Sequence, residues 1–316
     1  MTGPRPVSVR TAWILLTLVV VVLGSNWTIS KTGLNYIPPM HFAAARMLFG
    51  GLVLTLLAAY YRVLRLPKRA DLPLIFGVGL LQMAAFLTLI TIALQYVPAG
   101  RSAILAYTTS LWVVPLAVLL LHEQLTRIKS LGLLLGLIGV AILFNPLGFD
   151  WTQTQVLLGS GLLLLAALCW ALAIVLVRGY RGVSSPLALC PWQFLVACSV
   201  IVPLALIMED SSRIQPGWEL GLILLYNGPL ATAFAFWALV TLTQALPAIT
   251  TSLATLAVPV LGTVVAAIFL GESITPTNMG GLALILLGVA VVSLADRRKA
   301  NNPNNLDNPE KQTPTR

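Results

Sequence analysis

Charge is what this 316-residue sequence has least of: 9% of its residues are Asp, Glu, Lys or Arg, where a soluble globular chain carries about 25%. So little charge cannot keep a chain that is 58% hydrophobic in water. Soluble folds, intrinsic disorder and a basic nucleic-acid-binding face are excluded together. Cysteine is also scarce, and Cys169, Cys190 and Cys198 lie in apolar stretches without paired spacing or a neighbouring His or acid cluster. That leaves neither a disulfide framework nor a metal site, and no cofactor is expected. HExxH, a paired-Asp motif, GxSxG and a Walker loop are all missing. An enzyme acting on lipid-linked substrates, the main alternative function, would need one of these. The ten acidic residues fall in loops, in the tail or at helix ends, never deep in an apolar stretch. The carboxylate relay that proton pumps commonly carry inside the membrane is therefore absent.

What the sequence does have is hydrophobic length. Ten stretches are long enough, or nearly so, to cross the hydrocarbon core as helices: Trp13 to Ser30, Phe42 to Tyr60, Leu72 to Leu94, Ala103 to Leu121, Ile128 to Phe144, Val156 to Val177, Leu187 to Met208, Leu220 to Leu242, Ile249 to Leu270 and Met279 to Ala295. The fold class expected is an all-α integral membrane protein. The first stretch follows Arg5 and Arg10 but has no small-residue cleavage site after it, so it reads as an uncleaved helix. With the N-terminus inside, 15 of the 19 basic residues fall in cytoplasmic segments. This is the bias that sets topology, and it puts both termini in the cytoplasm. The net charge of +9 is thus a topological signature that favours anionic lipid headgroups.

The sequence also repeats. An offset of 149 places Gln95, Pro98, Ala99, Glu123, Thr126, Gly132 and Gly139 on Gln244, Pro247, Ala248, Glu272, Thr275, Gly281 and Gly288 without a gap. An offset of 147 places Lys31 on Arg178, Pro39 on Pro186 and Arg46 on Gln193. The chain divides into a cytoplasmic N-terminus (1–10), a first repeat (11–145), a second repeat (156–295) and a tail (296–316) expected to be disordered. Five helices per repeat is an odd number, so the halves must insert upside down relative to one another. Inverted repeats are a recurrent architecture of secondary transporters.

Gly24-Ser25-Asn26 followed by Lys31, Pro39 with Arg46, the Pro-Ala starts of the fourth and ninth helices, and the Glu-x-x-Thr turns at Glu123 and Glu272 resemble the drug/metabolite transporter superfamily, in its ten-helix EamA-type branch. The likeness runs from about Trp13 to Ala295. It implies an inner-membrane carrier, most often an exporter of amino acids or related metabolites, with a cavity between the halves. Leu23 departs from the pattern where the family usually has Trp, whereas Trp170 keeps that position in the second half.

A small-molecule substrate needs polar and aromatic groups inside the bundle, and there are few. Arg46 could attract a carboxylate or phosphate, or it could snorkel to the headgroups; His41, nearer the surface, reads as an interfacial anchor. Asn26, Trp27, Gln82, Tyr107, Trp112, Trp170, Gln193, Asn227 and Trp237 complete the candidate binding set, with Trp192 beside it. Each could instead serve an interfacial belt or a helix–helix bond. Pro115 and Pro259 are the candidate hinges, because a proline frees a backbone carbonyl. Without an intramembrane acid, weak electrogenic coupling or facilitated exchange is expected rather than proton antiport, and a drug-efflux carrier of the same fold is the second transport reading. Ten helices suffice to enclose a path in a monomer, and a homodimer is compatible with them.

Overall fold

The computed structural model describes residues 9–144, 154–180, 184–245 and 255–300. The start of the ninth predicted stretch and the tail beyond Ala300 lie outside these described residues, among which the chain is helical and has no strand. The helices are α1 (Val9–Gly33), α2 (Pro39–Tyr60), α3 (Arg69–Ala93), α4 (Ala99–Leu121), α5 (Arg127–Phe144), α6 (Thr154–Gly179) and α7 (Pro186–Met208). Then come α8 (Trp218–Leu225, continuing through Tyr226–Phe234 and Ala235–Ala245), α9 (Ala257–Leu270) and α10 (Pro276–Ala300). Eight of them, all but α5 and the shorter α9, stand out as long and apolar enough to cross a bilayer. Large apolar side chains such as Leu56, Leu119, Ile207 and Phe269 point outward, while Asn26, Arg46, Gln193 and Asn227 are buried. That distribution suits a lipid surround.

The helix boundaries follow from local sequence. Pro39, Pro186 and Pro276 open α2, α7 and α10, where a missing N–H costs nothing. α4 and α9 both end on a left-handed residue, His122 (φ 55°) and Gly271 (φ 66°). In both, the next residue's N–H, on Glu123 and Glu272, closes back on the carbonyls of Ala117 and Ala266. These two turns are related by the offset of 149 seen in the sequence.

The repeat also governs details that hydropathy does not show. The middle of α3, Val78–Ala85, and the middle of α8, Tyr226–Phe234, are both wound as π-helix, and the offset of 149 superposes their ends Ala85 and Phe234. Packing shows the same exchange of halves: α1 lies on α9 as α6 lies on α4, and α2 lies on α8 as α7 lies on α3. The closest pairing of all is α5 with α10. There a Cβ on Gly288 would stand 2.5 Å from the Gly132 carbonyl oxygen, and one on Gly281 would stand 3.0 Å from that of Gly139. Backbone meets backbone at both points.

Carboxylates of one half grip helix starts of the other. Glu209, just after α7, accepts from the N–H groups of Met40 (2.9 and 3.0 Å) and His41 (3.0 Å) at the start of α2. Its Oε2 also lies 3.0 Å from His41 Nδ1, and His41 Nε2 lies 3.0 Å from Ser211 Oγ. Glu272 accepts from Ala99 (2.6 Å) and Gly100 (2.9 Å) at the start of α4. In the opposite sense, Asp71 of the first half accepts from Ser184 Oγ (2.7 Å) and Ser184 N (3.3 Å) just before α7. An anion at a helix N-terminus satisfies orphan donors and the helix dipole at once. Lys31 does the converse, donating to the terminal carbonyls of Leu94 (2.7 Å) and Val97 (2.8 Å).

The α5–α10 contact makes a direct prediction. Gly288→Val must displace the Gly132 backbone, and overpacking of this kind costs about 1–3 kcal/mol. The melting temperature in detergent should fall by several degrees, whereas Gly280→Ala, with open space around its Cβ, should leave it unchanged. Equal melting of the two variants would contradict the packing.

Candidate functional site

The site is built around Arg46. α2 crosses α8 closely because Gly50 and Gly228 lie at the crossing: a Cβ on Gly50 would come within 2.8 Å of Thr232 Cγ2, and one on Gly228 within 2.6 Å of Phe49 Cβ. Arg46 is thereby pressed against the π-wound part of α8. A π-turn disrupts the regular ladder and leaves carbonyls for side chains. Thr232 Oγ1 donates to the Asn227 carbonyl (2.8 Å) and accepts from Arg46 Nε (2.9 Å), while Arg46 Nη2 donates to the Ala231 carbonyl at 3.5 Å. Asn227, fully buried, is fixed from behind: its Nδ2 donates to Ile223 O (3.0 Å) and its Oδ1 accepts from Ser30 Oγ of α1 (3.0 Å). Helices α1, α2 and α8 thus converge on one guanidinium. It is 8% exposed, and among the described residues no carboxylate pairs with it.

Arg46 faces a cavity of about 360 Å³ between the halves. Asn26, Trp27, Gln82, Tyr107 and Trp170 line the same space, so six of the ten candidate binding residues from the sequence are gathered there. Asn26 is 9% exposed and its Oδ1 has no partner in the protein. A buried acceptor left unsatisfied is costly unless a ligand or water meets it. Trp170 packs edge to face on Phe86, with ring centroids 4.3 Å apart at 79°. Apolar surface dominates the remaining wall, which includes Leu23, Met47, Met83, Phe194 and Phe236.

Four candidates lie elsewhere. Trp112 packs between α4 and α6 against the cluster of Val113, Ala117, Ala171 and Val175. Gln193 is buried where α7 crosses α3 at Gly79. Trp237 leans on α1 beside Phe234, in the cluster of Ala12, Leu16 and Val19. Asn227 stands one layer behind the cavity, acting on Arg46 through Thr232. Trp192 is at a helix end, donating to the Arg65 carbonyl (2.9 Å). Residues the sequence reading passed over also line the cavity, notably Ser30, Phe86, Thr91, Thr109, Ser110 and Thr232. Their common signal is a hydroxyl or ring in the middle of an apolar run, which is frequent and therefore weak.

The breaks in α4 and before α9 do not fall at Pro115 and Pro259, whereas Pro229 does lie within the π-wound part of α8. Pro115 sits inside the continuous stretch Thr109–Leu121 and Pro259 inside Ala257–Leu270. α4 breaks instead at Tyr107 and Thr108, and the chain turns at Leu256, the repeat equivalent of Tyr107. Hydroxyls cover the freed carbonyls: Thr108 Oγ1 donates to Leu105 O (2.6 Å) and Thr109 Oγ1 to Ala106 O (2.8 Å). Tyr107 at the break lines the cavity. A second, smaller cavity of about 290 Å³ lies beside the Glu272 grip on α4, lined by Arg101, Thr263 and Asn278 among others. It belongs to that clamp and is separate from the central space.

The chain matches known transporters over nearly its whole length. The EamA-like transporter family matches residues 10–145 and again 157–294. An uncharacterized transporter of Bacillus subtilis, YvbV, is 30% identical over 286 residues, covering 90% of this chain and 92% of that protein. A probable amino-acid metabolite efflux pump of Salmonella typhimurium is 27% identical over 286 residues, covering 88% of this chain and 93% of its own. One solved crystal structure shares the fold, with a TM-score of 0.63 at 21% identity over 91% of this chain and 99% of that one. With two copies of the family pattern on two five-helix halves and relatives named as transporters or efflux pumps, the chain belongs to the EamA-like transporter family and is a membrane transporter, not an enzyme.

Proposed function

We propose that this transporter exports small carboxylated metabolites, amino acids or their relatives, across the plasma (inner) membrane by alternating access. The reading rests on one observation above the others: a buried guanidinium that faces a mid-bundle cavity and has no counter-charge among the described residues. Arg keeps its charge under physiological conditions. A buried cation whose partner is missing is strongly disfavoured, so a carboxylate entering the cavity supplies what the fold withholds. Asn26, Trp27, Gln82, Tyr107 and Trp170 are the remaining contacts proposed for the substrate. The Salmonella typhimurium relative, named a probable amino-acid metabolite efflux pump, supports both the direction and the class.

In this reading ten helices span the membrane, both termini are cytoplasmic, and the two five-helix halves are inverted. The starts of α2 and α4 then lie on the outer side, where Glu209 and Glu272 hold them. Those clamps close the outer end, and outward opening must break them. The flexing points are the paired breaks at Tyr107–Thr108 and Leu256, rather than the prolines themselves. One chain encloses the whole path, so a monomer suffices for transport.

Three tests follow. In liposomes, Arg46→Gln should raise the half-saturating concentration of a carboxylated substrate about tenfold or more, the loss of roughly 1.4 kcal/mol or more, and Thr232→Val should give a smaller shift in the same direction. Unchanged affinity in a normally melting Arg46→Gln protein would end the anion reading. In a cysteine-free background, adding Glu272→Ala should increase labelling of Thr91→Cys from the outer side, and unaltered labelling would remove the clamp from the mechanism. A pH gradient alone should not drive uphill transport by purified protein, because none of the described residues lining the cavity is an acid; sustained accumulation would show proton coupling.

A further inference from the structure

The charge of the central cavity defines its cargo more narrowly than the word carboxylate does. Among the described residues lining it, Arg46 is the only ionisable group expected to carry a charge, and there is no Asp or Glu. Residues 246–254, which precede the cavity residue Thr255 and lie outside the described set, contain no ionisable side chain. A singly charged anion therefore brings the occupied cavity to neutrality. A zwitterion leaves a net positive charge in a space walled mainly by apolar side chains, where an unbalanced charge is costly.

The polar atoms say what else the cargo presents. Four hydroxyls on the cavity wall have already committed their hydrogens to the protein: Ser30 to Asn227 Oδ1, Thr91 to the Leu87 and Thr88 carbonyls, Thr109 to Ala106 O and Thr232 to Asn227 O. They offer only lone pairs to anything inside, one of those on Thr232 being taken by Arg46 Nε, while Gln82, Tyr107 and Ser110 bring donors that suit a carboxylate. Asn26 Oδ1, nine-tenths buried and unpartnered, is another acceptor awaiting a donor. A neutral N–H or O–H answers these acceptors without adding charge. The apolar wall around Phe86 and Trp170 receives the rest of the molecule.

We infer that the preferred cargo is an amphipathic monocarboxylate whose second polar group is a neutral hydrogen-bond donor, an N-acylated or 2-hydroxy acid with an aromatic or large aliphatic body, in preference to the free amino acid. This inference rests on the carboxylate reading of Arg46 and sharpens it. An ammonium would find no carboxylate here, and only a cation–π contact with the rings would oppose the excess charge.

Four probes with one phenyl body separate the cases by counterflow into liposomes holding the full-length protein: N-acetylphenylalanine, 3-phenyllactate, phenylalanine and phenylethylamine. The expected result is a half-saturating concentration for 3-phenyllactate or N-acetylphenylalanine at least tenfold below that of phenylalanine, with phenylethylamine idle. Arg46→Gln, checked for an unchanged melting temperature, should weaken the two anions most. Phenylalanine exchanging as well as or better than both anions, with phenylethylamine still idle and Arg46→Gln still damaging, overturns this inference and leaves the carboxylate reading standing. Phenylethylamine moving best, or Arg46→Gln leaving every acid unaffected, overturns both. Exchange of none of the four overturns the inference.

Discussion

A bilayer offers the backbone no water, so every N–H and C=O released from a helix must find a partner inside the protein. The architecture follows from that constraint. Where α8 winds into a π-turn, Thr232 and Arg46 take up freed carbonyls. Where α4 breaks, Thr108 and Thr109 do so. Where α2 and α4 begin, Glu209 and Glu272 reach across from the other half. The irregular backbone is thereby sustained by a few polar side chains, and Arg46, Thr109 and Thr232 among them also line the central cavity.

The same logic ties the halves together. An N-terminus held by its own half would close a repeat on itself; one held by its partner makes each half incomplete alone. Glu209 and Asp71 serve this role in opposite directions, one gripping the start of α2 and the other the residues before α7. Such bonds are directional and few beside the extensive apolar helix faces that pack around them. Alternation between two arrangements asks for this combination of an extensive apolar packing and a small number of bonds that switch.

Much of the fold was legible in the amino-acid order. Hydrophobic length located the helices, although α2, α7 and α10 begin at Pro39, Pro186 and Pro276, ahead of the expected Phe42, Leu187 and Met279, and the displaced match of Glu123 with Glu272 revealed the duplication. The site was legible in part. Arg46, Asn26 and Tyr107 stand out as polar groups in apolar runs, and they do meet in the cavity. Trp112 and Trp237 stand out equally and do not, because helix rotation decides which way an indole points, and a helix apolar on every side carries no periodicity to report its rotation. The π-turns were only half legible: Pro229 lies within the one in α8, but the one in α3 has no proline to mark it. Proline misled in turn, since Pro115 lies within a helix that accommodates it while the break falls at Tyr107.

The α5–α10 crossing also limits how the molecule can move. Gly132 lies opposite Gly288 and Gly139 opposite Gly281, with the Val292 and Ile285 side chains already packed beside them, so sliding either helix by one turn would set a side chain where glycine now meets backbone. Translation along this seam is therefore opposed by backbone contact. A pair locked in this way travels as one piece, so the last helix of each repeat is tied to the last helix of the other.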